Sequence, residues 1–263
     1  MDLFFSNDIT SWRGFAKEVR SKQLKLLVNL ENFPNSILVT GCQRSGGTIL
    51  AQVITQSNGI VNQRVGRDAE LDSALILSGH MQQAINGRCC FQTTFLNERY
   101  HEYFEHPTHK IIWVLRNPHS VVYSMLYHWA NFALNELFLQ CGYAQMDYRD
   151  RIRFQRFGIF GVPRIRRAAY AYNGKVTQLF KLKQNYPSEN INVVEYDDLV
   201  NDKMRIFPLL YSEIDLIYRE EYIDPISQRS LSKKDKLSQA EVHSIDAICM
   251  PIYQDARMEI TLK

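Results

Sequence analysis

Residues 41–48 read Gly41-Cys42-Gln43-Arg44-Ser45-Gly46-Gly47-Thr48. This is the G-x-x-x-x-G-K-[ST] spacing of a nucleotide phosphate loop, with Gly47 standing where the lysine belongs. An apolar run, Ser36-Ile37-Leu38-Val39-Thr40, precedes the loop, and a helical pattern from Thr48 to Ile54 follows it. The motif requires that strand–loop–helix context. Backbone N–H groups of such a loop, together with the helix N-terminus behind it, make an anion site. The lysine that reaches the β- and γ-phosphates of a triphosphate is missing. The loop is therefore expected to hold a phosphate, but not that of ATP or GTP.

The rest of the chain supplies the strands and helices such a loop needs. Residues 9–30 carry a helical pattern built on Trp12, Phe15, Val19, Leu24, Leu27 and Val28. A strand is predicted at 36–40, a helix at 47–57, a helix at 68–84, a short strand at 88–92 and a short helix at 98–104. The continuous apolar run Lys110-Ile111-Ile112-Trp113-Val114-Leu115 suits a central parallel strand. Pro118 takes a first helical position and opens a helix predicted to reach Leu137. Residues 140–163 read as less regular, a long helix spans 165–184, and a last strand spans 191–195. Alternating strands and helices predict an α/β fold of three layers, a central parallel sheet flanked by helices in the manner of P-loop NTPases. The expected organisation is one domain over 1–263. Residues 1–35 form a helical lead-in, 36–200 the nucleotide-binding core, and 201–263 C-terminal helices with a basic loop at 230–236.

Composition narrows the setting. A net charge of +3 is too small to argue for nucleic acid as a partner. Five cysteines, two of them adjacent and none in a C-x-x-C pair, favour reduced thiols over a disulfide framework or a zinc site. No apolar run approaches the roughly 20 residues of a membrane helix, and residues 1–8 lack the pattern of a secretory signal. A cytoplasmic protein without a stable membrane anchor is expected.

A second anion signal lies farther along. Ligands bind such sheets beyond the carboxyl ends of the strands, and Arg116 stands at that end of the 110–115 run. Ser124 lies two turns into the following helix. A guanidinium fork and a hydroxyl there suit phosphate oxygens. Two anion sites on adjacent strand ends point to a nucleotide phosphorylated at two separate positions.

These residues resemble the sulfotransferases that use 3′-phosphoadenosine 5′-phosphosulfate (PAPS). In that family, the segment matching residues 41–50 cradles the 5′-phosphosulfate. The segment Leu115-Arg116-Asn117-Pro118-His119-Ser120-Val121-Val122-Tyr123-Ser124 looks like the second signature, where Arg116 and Ser124 would hold the 3′-phosphate. The likeness continues at Ala171-Tyr172-Asn173 and at Val194-Glu195-Tyr196-Asp197-Asp198-Leu199, where the family commonly has Tyr-Glu-Asp-Leu. It implies a metal-independent reaction that releases adenosine 3′,5′-bisphosphate. Gln43, Arg44, Ser45, Gly46, Gly47, Thr48, Arg116, Ser124 and Tyr196 would form the cofactor site. Tyr196 reads equally well as core packing. Arg44 takes the place of the family's lysine or arginine beside the leaving phosphate, and so would serve binding and catalysis alike.

The acceptor hydroxyl needs a general base. The small-molecule branch of the family carries Lys-Thr-His before the second signature; here the matching segment is Gln92-Thr93-Thr94, without lysine or histidine. Carbohydrate and protein-tyrosine branches instead place a glutamate soon after the phosphate-loop helix, and the likeness is closer to those. Glu70 is the choice, with Asp68 and, more distantly, His80 as alternatives. A solvated charge at a helix start is the plain reading of the same residue. Seven arginines between Arg149 and Arg167 read either as an acceptor region or as a solvated face paired with Asp147 and Asp150. Tyr148, Phe154, Phe157 and Phe160 could line a pocket or fill the core, and Lys233 and Lys234 could clamp the nucleotide. The acceptor itself, a hydroxyl on a glycan, lipid, metabolite or tyrosine, is not written in the sequence. The competing readings are a P-loop nucleotide kinase and a non-catalytic nucleotide-binding module.

Overall fold

A computed structural model of the chain describes residues 9–22, 24–62, 68–81 and 87–262. Four strands, β1 (Ile37–Gly41), β2 (Cys90–Gln92), β3 (Lys110–Leu115) and β4 (Ile191–Glu195), form one parallel sheet in the order β2-β1-β3-β4. Chain order reverses direction between β1 and β3, the place where open α/β sheets bind ligands. The register pairs Gly41 with Val114, and Leu115 with Glu195. At Gly41, φ is 135° and a Cβ would lie 2.5 Å from the carbonyl oxygen of Val114. Only glycine lets the two central strands approach this closely while the chain turns into the phosphate loop.

Ten α-helices complete the fold among the described residues. They are α1 (Trp12–Lys22), α2 (Gly47–Thr55), α3 (Ala69–Leu77), α4 (Pro118–Tyr127), α5 (Asn131–Leu137), α6 (Tyr148–Phe157), α7 (Arg164–Asn185), α8 (Tyr196–Asn201), α9 (Lys203–Glu213) and α10 (Gln239–Met258). The sheet buries both faces, and side chains alternate between two cores. Leu38, Phe91, Ile111, Trp113 and Val193 meet α3, α4, α7 and α10 on one face. Ile37, Val39, Ile112, Val114 and Val194 meet α2, α8 and α9 on the other. Each fully buried aliphatic side chain contributes roughly 1.5–3 kcal/mol, so the two layers fix the sheet beneath the site. The three-layer α/β arrangement matches the sequence expectation. Among the described residues no helix is long and apolar enough to cross a membrane.

Several predicted boundaries need correction. The helix expected over 9–30 stops at Lys22, because the backbone N–H groups of Leu26 and Leu27 donate to the buried carboxylate of Glu102 (2.6 and 2.8 Å). The helix expected from Pro118 to Leu137 is two helices. It breaks where Arg164 reaches across and donates to the carbonyl of Met125 in the last turn of the first helix and to that of Trp129 in the break (3.3 and 3.1 Å). The stretch 140–163 is more regular than expected, since it contains α6, capped by the Asp147 side chain. The strand predicted at 88–92 keeps only Cys90–Gln92, with Cys89 bridged to Val61. The short helix at 98–104 is instead a 3-10 segment, Thr94–Glu105, kinked at Asn97 (φ 32°). The helix expected over 68–84 is α3 within the described residues, and positions 82–84 lie outside them.

Candidate active site

The phosphate loop leaves β1 and enters α2 with two residues in the left-handed region, Arg44 at φ 72° and Gly46 at φ 101°. A Cβ on Gly46 would collide with the Tyr196 ring at 2.2 Å. Gly47 behaves differently: a Cβ there would meet only ordinary contacts, the nearest being Thr94 Cγ2 at 3.6 Å. Protein packing does not demand that glycine, so the space it leaves belongs to the cavity it lines. The hydroxyl of Ser45 is buried in the loop without a hydrogen-bond partner. Bare backbone, an orphaned hydroxyl and a helix N-terminus together fit a phosphate group.

Three cations gather around that loop. The Arg44 Nε donates to Ser124 Oγ at 3.0 Å, which joins the loop to α4. Arg116, at the end of β3, lies 3.4 Å from Asp197 through Nε and stacks its guanidinium 4.3 Å from the centre of the Tyr196 ring. Tyr172, fully buried on α7, donates to the Arg116 carbonyl at 2.9 Å and fixes that turn. Lys233 lines the same space from the 3-10 segment Gln228–Lys236. Desolvation, followed by mutual repulsion, holds Arg44 below its ordinary value, and Lys233 is lowered by burial and then by Arg116 and Arg44. Burial also lowers Arg116, against the attraction of Asp197. Cations that repel one another across a cavity are stabilised by an anion of several charges. The structure thus brings together Gln43, Arg44, Gly46, Gly47, Thr48, Arg116, Ser124 and Tyr196 on one cavity of about 700 Å³, with the buried Ser45 beside it.

Glu70 is on the wall of that cavity, and its two alternatives are not. Asp68 caps α3, accepting from the backbone N–H groups of Glu70 and Leu71 (both 3.1 Å), and also accepts from Trp12 Nε1 (2.7 Å). His80 pairs with the Ser78 hydroxyl at 2.9 Å beyond the far end of α3. One Glu70 oxygen accepts from the Thr94 hydroxyl and the other from Gln92 Nε2 at 3.1 Å. Both bonds come from the end of β2, since Gln92 closes that strand and Thr94 opens the 3-10 segment after it. Desolvation pushes Glu70 up to about 7, partly opposed by the Thr94 hydrogen bond and by the charges of Lys175 and Arg44, while Asp68 adds to the rise. A carboxyl titrating near neutrality suits proton transfer.

Lys175 escaped the sequence reading. It is 1% exposed, and its Nζ donates to the Thr94 carbonyl at 3.1 Å, which also accepts from Gln43 Nε2 at 3.0 Å. One carbonyl thus ties the phosphate loop, the Glu70 partner and α7 together. Its signal was a lysine on the apolar stripe Ala168, Tyr172, Lys175, Leu179, Leu182 of an otherwise ordinary amphipathic helix. The arginine-rich stretch lies apart from the cavity. Arg166 pairs with Asp147 (2.6 Å) and with Asp150, and Arg153 pairs with Asp150 (3.4 Å). Tyr148, Phe157 and Phe160 are exposed, and Phe154 packs against Tyr143. None of these four aromatics lines the cavity.

No protein-family model and no curated protein sequence matches the chain. Solved structures of sulfotransferases are similar to it over nearly its whole length. One from Alicyclobacillus acidocaldarius has a TM-score of 0.53 at 13% identity and covers 87% of this chain and 97% of its own. The sulfotransferase domain from the curacin biosynthetic pathway gives 0.51 at 13%, covering 88% and 99%. A sulfotransferase from Mycobacterium avium gives 0.51 at 10%, covering 95% and 82%. The shared feature is the fold: this chain has the fold of the sulfotransferases.

Proposed function

We propose that the chain is a sulfotransferase that moves the sulfuryl group of PAPS onto an acceptor hydroxyl. The observation that carries the reading is the meeting of Arg44, Ser124, Arg116 and Lys233 around a phosphate loop whose lysine position is glycine, with Glu70 on the same cavity. The residues present fit the nucleotide. Loop backbone and Ser45 suit its 5′ end, Arg116 and Ser124 its 3′-phosphate, and Tyr196 the surface beside them. When bound, PAPS supplies a sulfuryl group already activated on a phosphate leaving group.

The chain's own residues would do the remainder. Glu70, ionised above pH about 7, takes the proton of the acceptor hydroxyl as that oxygen bonds to sulfur. Thr94 and Gln92 hold the carboxylate in one orientation. Arg44, fixed by Ser124, stabilises the negative charge that collects on the departing phosphate oxygen. Holding two reactants in line is itself worth several kcal/mol, and the loop, already tied to Thr94 through Gln43, needs little rearrangement to do so.

The test is calorimetric titration of the full chain with adenosine 3′,5′-bisphosphate and, separately, with ATP and magnesium. Micromolar binding of the bisphosphate with at least tenfold weaker ATP binding supports the reading. The reverse preference would establish a nucleotide kinase instead.

A further inference from the structure

Beyond Glu70 the cavity changes character. The chain runs from Thr94 into Phe95, whose ring centre lies 5.9 Å from that of Trp12 and 6.2 Å from that of Phe15. Val19 and Ala16 continue the wall along α1, and Phe132, Ala133 and Leu137 of α5 face the same space. The one hydrogen-bond donor of the Trp12 ring, Nε1, is committed to Asp68, two residues from Glu70. What Trp12 presents to the cavity is therefore ring surface.

Of the polar side chains around this end, Arg20, Asn97 and Arg99 are hydrogen-bonded to protein, Arg13 lies over a ring face, and Glu98 is exposed to solvent. Arg20 is paired with Glu136 at 2.9 Å, and the Arg13 guanidinium lies 5.4 Å from the centre of the Phe132 ring. Asn97 donates to Gln140 at 2.6 Å and accepts from Gln43 at 2.9 Å. Arg99 donates to the carbonyl of Leu24. A saccharide placed here would bury several hydroxyls without partners, and each unpaired hydroxyl weakens binding. A carbon skeleton with one hydroxyl directed at Glu70 would leave nothing unpaired and would remove apolar surface from water on both sides.

We infer that the acceptor is an apolar monohydroxy compound, an aliphatic or aromatic alcohol whose skeleton lies among Trp12, Phe15, Phe95 and Phe132, and that saccharides are excluded. The inference rests on the sulfotransferase reading, because Glu70 as proton acceptor fixes where the hydroxyl must come. It departs from the likeness to the carbohydrate branch: Glu70 keeps that branch's type of base, in a pocket built for a different acceptor.

Binding and transfer are measured separately on the full chain. With adenosine 3′,5′-bisphosphate present, 1-octanol and 2-naphthol are titrated by calorimetry against maltotriose. The alcohols are expected to bind saturably and the saccharide at least 100-fold more weakly. With PAPS, product release is then followed for the same three acceptors, and the alcohols are expected to lead in kcat/KM by at least 100-fold. In Ala133→Phe, which fills the apolar end, alcohol affinity falls at least tenfold while bisphosphate affinity stays within twofold. Absent alcohol binding, saccharide binding as tight as the alcohols, or an Ala133→Phe variant that binds 1-octanol normally overturns the inference. Failure of the bisphosphate to bind at all is read before any acceptor is added, and overturns the sulfotransferase reading instead.

Discussion

The two ends of the cavity are built by different means. At the phosphate end, Arg44 and Arg116 sit on short turns directly after β1 and β3, and the strand register sets their spacing. At the apolar end, α1, α5 and the Thr94–Glu105 segment come from distant parts of the chain and meet only through packing. Recognition of an anion is a local property of a backbone turn and a helix start. The shape of an apolar pocket is a property of the whole tertiary structure. Glu70 belongs to neither end and stands between them.

Substitutions at the boundary and at each end should separate their contributions. The largest effect is expected for Glu70→Gln. Loss of a general base costs about 10²–10⁴-fold in kcat, while the bisphosphate affinity read by calorimetry stays unchanged. In the unsubstituted protein the rate should rise with pH through about 7, as Glu70 loses its proton, and this limb should vanish in the variant. The same shift has a stability consequence. A carboxyl raised in the folded state disfavours folding increasingly as pH climbs from the ordinary glutamate range toward 7. Glu70→Gln should therefore melt above the parent at pH 8, with the difference closing by pH 4.5. A variant with the parental rate and pH limb would remove Glu70 from the chemistry.

Next comes Arg44→Ala, which strikes chiefly the phosphate end. Removing one preorganised donor costs about 10²–10³-fold in transfer, and the bisphosphate should bind at least tenfold more weakly with the circular dichroism spectrum unchanged. Normal turnover would show that the loop holds no reacting group. Lys175→Met should act through charge. Without the buried cation the Glu70 carboxylate is less stabilised, so the limb near 7 should move to higher pH, whereas a purely structural role would lower the rate without moving it. The smallest effect is expected for Arg20→Ala. Its pair with Glu136 is solvent-exposed and worth about 0–1 kcal/mol, so acceptor KM should change less than about fivefold and nucleotide binding not at all.

The same contrast explains what could be read from the residues in order. The Gly41–Thr48 loop, the 110–115 strand and the Arg116–Ser124 segment are contiguous patterns with fixed spacing, and the structure has them in the expected elements, although Ser124 pairs with Arg44 and Arg116 with Asp197. Glu70 was legible as the choice over Asp68, but the physical reason for that choice was not. Only the folded chain shows Asp68 spent on capping α3 and Glu70 turned toward Thr94 and Gln92. The helix breaks after Lys22 and Tyr127 were hidden because they depend on remote partners, Glu102 and Arg164, that claim backbone groups a helix would have used internally. Trp12 and Phe132 look like ordinary core residues in sequence, since nothing local tells a wall of a cavity from the interior of a core.

The contact between Gly41 and the carbonyl of Val114 reaches further than the turn it permits. Because the loop and Arg116 become neighbours only when β1 and β3 lie in this register, any anion bound between them binds the docked strands and not the separated ones. Its binding free energy is added directly to the cohesion of the sheet's centre. The nucleotide would then act as a removable cross-strand clamp, and the slowest-exchanging amides of β1 and β3 would report its departure as faithfully as the active site does.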